Sequence, residues 1–183
     1  MVAEQIAVSR RLFSVGGVSW SATRYAWLSP ASWVGLGLAM ALGSRRSADL
    51  SGVLIDGVGY GAMLYGASIV HSLGHVVAGR LAGATVETVL LTSTRDVIIY
   101  CQSGAAAPPR RRLVRALGGP AANLAVGCAL ILAGDLAETW WVGMAGLVSV
   151  CVALWTLMPV PSLDGWVIWG TVTRLKGTER RGT

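Results

Sequence analysis

The sequence predicts an all-α integral membrane protein with about four transmembrane helices and a cytoplasmic-side β-hairpin after the second. Three observations lead there. Hydrophobic residues make up 54% of the 183 residues and charged residues only 13%, whereas a soluble domain carries about 25% charge; mean hydropathy is +0.60. The apolar residues gather into segments of bilayer-crossing length, about 20 residues each. The basic residues stand between those segments. They form no stripe interleaved with aromatics, so the formal charge of +6 does not signify a nucleic-acid surface. The three cysteines, Cys101, Cys128 and Cys151, are too few for a secreted disulfide scaffold, and two of them lie in apolar runs.

In chain order, residues 1–27 are expected to be an N-terminal cytoplasmic segment, 28–172 the transmembrane core and 173–183 a basic C-terminal tail. All belong to one domain, since no internal repeat or long linker divides them. Ala39-Met40-Ala41 imitates a signal-peptide cleavage site, but more than twenty residues precede the apolar run, which marks an uncleaved anchor. The four spans are Leu28–Gly43, Gly52–Val77, Leu113–Gly134 and Trp140–Pro159. Ser162–Val172 is too short to cross alone; it is either the tail of the fourth span beyond Pro159 and Pro161 or an interfacial helix. Thr85–Cys101 is rich in β-branched residues, partly alternating and broken at Ser93-Thr94-Arg95-Asp96, which signals a hairpin. Gly57 and Gly61 in span two, and the ladder Ala121, Ala125, Ala129 and Ala133 in span three, mark close-packing faces. Trp20, Trp27, Trp33, Trp140, Trp141, Trp166 and Trp169 bracket the spans as an aromatic belt does.

Charge sets the orientation. Arg10, Arg11, Arg24, Arg80, Arg95, Arg110, Arg111, Arg112, Arg115, Arg174, Lys176, Arg180 and Arg181 fall on one side of a four-span chain, and only Arg45 and Arg46 on the other. That asymmetry places both termini in the cytoplasm. Arginine so far outnumbers lysine, in a chain full of glycine and alanine, that a bacterial plasma membrane is expected.

The two histidines of the chain are His71 and His75. At i and i+4 on a helix, two imidazoles stack about 6 Å apart on one face, the spacing for holding one metal ion. A single histidine at membrane depth is most often a hydrogen-bonded interior residue, but ionisable groups there are functional candidates. After the helix-opening Pro159 and Pro161 comes Asp164. Alone it reads as a helix cap; with the histidine pair it completes a His₂Asp set with one open position, a zinc site of the catalytic kind.

The order of these segments resembles that of the site-2 protease family of intramembrane zinc metalloproteases. In that family an H-E-x-x-H helix is followed by a β-hairpin, a G-P-x-x-N segment and an N-x-x-P-x-P-x-x-D-G-type segment that supplies the third ligand. Here the counterparts are His71-Ser72-Leu73-Gly74-His75, the hairpin at 85–101, Gly119-Pro120-Ala121-Ala122-Asn123, and Thr156 through Pro159, Pro161 and Asp164 to Gly165. The resemblance covers roughly residues 60–170. It implies a site-2-protease-like core, zinc held by His71, His75 and Asp164, and a substrate groove or structural role for Gly119, Pro120, Asn123, Thr156, Pro159, Pro161 and Gly165.

The sequence also departs from that pattern. Ser72 replaces the glutamate that acts as general base in the family, Thr156 replaces an asparagine, and the hairpin lacks the usual glycine pair. Asp56 stands about 22 Å along the helix from His71, at 1.5 Å per residue, and nothing in the sequence brings Glu87 or Asp96 to the histidines. The expected function is therefore a zinc-binding pseudoprotease serving as a binding or regulatory membrane component. Its partners would be the lipid bilayer and a transmembrane helix or extended peptide of another membrane protein, the latter received by strand addition, with no nucleic acid. Two alternatives stand beside it. One is an active intramembrane protease using another base. The other is a subunit of a larger membrane complex, with a pigment ligated by a histidine in the room beside Gly74 and Ala78.

Overall fold

Gly16 and Gly17, with φ of 55° and 80°, turn strand β1 (Arg10–Val15) back onto strand β2 (Val18–Ala22). Positive φ at both central positions is what a two-residue hairpin demands, and glycine supplies it without steric cost. β1 and β2 pair antiparallel, with an irregularity between Arg11 and Phe13, and Phe13 stacks on Trp20. The structure, a computed structural model, describes residues 9–44, 49–93, 96–100 and 108–179, with 174–179 described by backbone alone. The expectations placed on Arg45, Arg46, Thr94, Arg95, Cys101 and the last residues of the basic tail lie outside the described residues.

The expected hairpin is present as β3 (Val86–Leu91) and β4 (Asp96–Tyr100). It does not stand alone, however. β2 runs parallel to β3, from Ser19 opposite Thr88 to Ala22 opposite Leu91, giving a four-stranded sheet in the order β1-β2-β3-β4. The reading of the chain as all-α with a hairpin alone is corrected accordingly: a small four-stranded sheet accompanies the helices, and two of its strands lie within residues 1–27. Val18, Val89 and Leu90 are almost wholly buried at the centre of this sheet, which ties the first strands into it.

Among the described residues, five helices follow the sheet strands or lie between them: α1 (Leu28–Ser44), α2 (Leu50–Leu81), α3 (Pro109–Leu136), α4 (Trp140–Thr156) and α5 (Asp164–Glu179). α2 and α3 are long and apolar enough to cross a membrane, and only 33% and 28% of their apolar windows are buried. A core helix of a soluble domain would hide most of its apolar surface; here Leu54, Ile55, Val58, Leu73, Val77 and Leu132 are exposed. α1 and α4 are apolar but shorter, at 17 residues each, or about 26 Å at 1.5 Å per residue. The Ser162–Val172 piece follows a break where the two prolines were expected to make one, and it runs beyond its expected length. It is a separate helix, α5, begun after a break at 157–163.

The chain falls into two compact units, Met1–Ile69 with Glu87–Ile99, and Val70–Val86 with Tyr100–Thr183, so the boundary lies within α2 just ahead of His71. In the first unit α1 crosses α2 at glycines: a Cβ on Gly37 would run into the Gly57 carbonyl oxygen and the Gly61 nitrogen. The G-x-x-x-G face is thus a packing face, as expected. In the second unit α3 packs on α4 and α5. The expected alanine ladder is not the face it uses. Ala121, Ala125, Ala129 and Ala133 are exposed, while Gly119, Asn123, Gly127 and Gly134 are buried. The stripe without Cβ atoms admits the closer approach, with Gly127 against Gly146 and Gly134 against Gly143.

Candidate metal centre

The C-terminal part of α2 carries His71 and His75 on one face, and their rings meet edge to face, 4.7 Å between centroids and 85° between planes. Their Nε2 atoms lie 3.1 Å apart. Asp164, at the start of α5, brings Oδ2 to 2.9 Å from His71 Nε2 and 3.2 Å from His75 Nε2. Among the described residues, these three form a group able to hold a metal ion. The structure brings together the three residues that the sequence reading named for a metal.

Local structure explains the convergence. Gly119 on α3 faces both imidazoles, and a Cβ there would fall 2.5 Å from His71 Cε1 and 2.6 Å from each Nε2. The missing side chain is the space the rings occupy. Pro120 is buried beside it inside the helix. Asp164 is delivered by the break after α4, where Ser162 turns the chain with φ of 77°. Gly165 then lets α5 begin against the end of α4, because a Cβ on it would run into the carbonyl oxygens of Leu157 and Met158. Trp169 Nε1 donates to the same Leu157 carbonyl at 3.3 Å.

Zinc, implied by the resemblance, fits these residues. Bonds of about 2.0–2.1 Å to nitrogen and oxygen give a tetrahedral edge of roughly 3.3 Å, close to the observed 2.9, 3.1 and 3.2 Å. His75 Nδ1 lies 2.7 Å from the Arg115 carbonyl oxygen, so Nδ1–H donates there and Nε2 keeps its lone pair for a metal. His71, His75 and Asp164 are each half-buried.

Other residues named from the sequence take different places. Asn123, fully buried, sets its amide 3.4 Å from His71 Nδ1. Thr156 donates its hydroxyl to the Ala153 carbonyl of its own helix. Pro159 and Pro161 are exposed in the break, and Ser72 is buried next to His71 in the chain. The room that a pigment would need beside Gly74 and Ala78 is taken by α3: a Cβ on Gly74 would run into the Gly118 carbonyl oxygen. Three supports have no counterpart among the sequence expectations. They are the Arg115 carbonyl, the Tyr100 ring lying 3.2 Å beneath the Arg115 guanidinium, and Ser149, which donates to the Asn123 carbonyl at 3.0 Å. A backbone carbonyl leaves no mark in a residue pattern.

Comparison with known proteins agrees with the fold. The structure is similar to that of the site-2 protease from Methanocaldococcus jannaschii, with a TM-score of 0.61 and 18% identity, covering 92% of this chain and 73% of that one. In sequence, the chain is 32% identical over 120 residues to a Mycobacterium tuberculosis protein named "Putative zinc metalloprotease Rip3", in two strains. The matched stretch takes in 60% of this chain but only 29% of that relative's length. No family model matches the sequence. The chain has the site-2 protease fold.

Proposed function

We propose that this chain, built on the site-2 protease fold, is a membrane-inserted, zinc-binding protein that does not hydrolyse peptide bonds and acts as a binding or regulatory component. One observation carries the reading: three ligand atoms converge as a zinc site requires, while Ser72 stands where the resemblance expects the general base. Bound zinc would supply Lewis acidity and lower the pKa of a water to about 7. A serine hydroxyl accepts no proton near neutral pH, and a missing general base typically costs about 10²–10⁴ in rate. Within the unit that holds His71, His75 and Asp164, Asp135 near the far end of α3 and Glu138 just beyond it are exposed, with Asp135 about 24 Å along the helix from Gly119. Asp56, Glu87 and Asp96 belong to the other unit.

The retained use of the fold is recognition. β4 is the last strand of the sheet, and an outer strand offers unpaired backbone groups to an extended peptide. The partner is accordingly a transmembrane helix that unwinds, or an extended segment of another membrane protein. The apolar exposure of α2 and α3 supports insertion in a bilayer, and the arginine asymmetry supports four crossings with both termini in the cytoplasm of a bacterium.

The test pairs metal analysis with a cleavage assay on gently purified protein. About one zinc per chain is expected, lost in His71→Ala. No cleavage of a helix-destabilised transmembrane peptide is expected above the His71→Ala background, and Ser72→Glu should recover a part of the activity. Zinc-dependent turnover by the wild type, abolished by His75→Ala, overturns the reading.

A further inference from the structure

A histidine that ligates through Nε2 carries its proton on Nδ1, and that N–H needs an acceptor to fix both the tautomer and the ring. His75 has one, the Arg115 carbonyl at 2.7 Å. For His71 the group at Nδ1 is the Asn123 amide, whose nitrogen stands 3.4 Å away. The other end of that amide, Oδ1, is buried without a hydrogen-bond partner, on a residue with no exposed surface. A buried polar atom without a partner costs about 1–3 kcal/mol and calls for an explanation.

A half-turn of the amide about its last bond exchanges oxygen and nitrogen within the same outline. With nitrogen toward the ring, Nδ1 must accept, and the His71 proton moves to Nε2, among the other ligand atoms. With oxygen toward the ring, Nδ1–H donates and Nε2 faces the centre as a lone pair. Both histidines then carry the same proton arrangement. From this we infer that Asn123 is the positioning residue of the metal centre: its Oδ1 accepts from His71 Nδ1–H and holds that imidazole as an Nε2 ligand. The inference rests on the zinc reading above. Its backbone is anchored for the task, since Ser149 Oγ donates to the Asn123 carbonyl from α4 at 3.0 Å.

The test compares the full-length wild type with Asn123→Asp, which keeps an acceptor of the same shape, and Asn123→Leu, which removes it. Zinc affinity is measured by chelator competition, cobalt(II) absorption reports ligand geometry, and the His71 Nδ1–H proton is followed by NMR in the zinc-loaded protein. Asn123→Asp should bind zinc within about threefold of wild type and keep a slowly exchanging Nδ1–H. Asn123→Leu should lose about 10–100-fold in affinity and that proton's protection. Equal loss in both variants overturns the acceptor role, as does undiminished binding in Asn123→Leu. Should the leucine variant fail to fold, Asn123→Asp still decides, because an acceptor that does not matter predicts no rescue relative to Asn123→Ala. A wild type that takes up neither zinc nor cobalt(II) overturns the metal reading itself, a result distinct from binding that ignores residue 123.

Discussion

Gly119 shapes the candidate metal centre by what it lacks. Adding one carbon there places it 2.5–2.6 Å from both imidazoles, well inside contact distance, so at least one ring would have to leave its place. Gly119→Ala is expected to abolish stoichiometric zinc while leaving the helical circular dichroism intact, because alanine favours a helix over glycine by about 1 kcal/mol. Retention of full zinc in that variant contradicts the placement of the rings. At this scale the sequence is legible wherever chemistry has a fixed spacing: His71, His75 and Asp164 can be named without the fold. It is silent where the determinant is an absent side chain or a backbone oxygen. Gly119 can be named only as part of a motif, and nothing in the residue pattern gives its relation to the rings.

Among the elements, the break between α4 and α5 governs where Asp164 stands. A Cβ on Gly165 meets backbone oxygens that cannot give way, so Gly165→Ala should shift the start of α5 and cost about 1–3 kcal/mol. Thermal unfolding in detergent measures the stability and metal analysis the accompanying zinc loss. α2 offers a built-in comparison. Gly61 lies against the α1 backbone at Trp33 and Val34, whereas a methyl group at Gly66 would have nothing within 4 Å of it. Gly61→Ala should therefore destabilise by about 1–3 kcal/mol, and Gly66→Ala should be neutral or stabilising by up to about 1 kcal/mol. The long helices are legible to within a few residues because apolar runs of that length have few other meanings. The Gly16-Gly17 pair between two short β-prone runs is a hairpin signal that the sequence reading did not take up. After two prolines the sequence does not tell whether a helix resumes, and the choice of a glycine over an alanine stripe depends on which approach is closer.

For the whole molecule, the arginine asymmetry is the strongest handle on topology. Reporter fusions at Arg46 and Asp135 should read external, and fusions at Gly104 and Thr183 cytoplasmic; a cytoplasmic signal at Asp135 contradicts four crossings. The parallel pairing of β2 with β3 adds a constraint of another kind, in time. Parallel neighbours require a crossover between them, and here that crossover contains the whole of α1 and α2. At about 5–20 residues per second of synthesis, the first hairpin waits roughly 3 to 13 s for its neighbour to begin to be translated. Throughout that interval β2 is an open edge of the kind that invites pairing with other chains. Completion of the sheet therefore marks the moment when the nascent protein has finished delivering its first two helices.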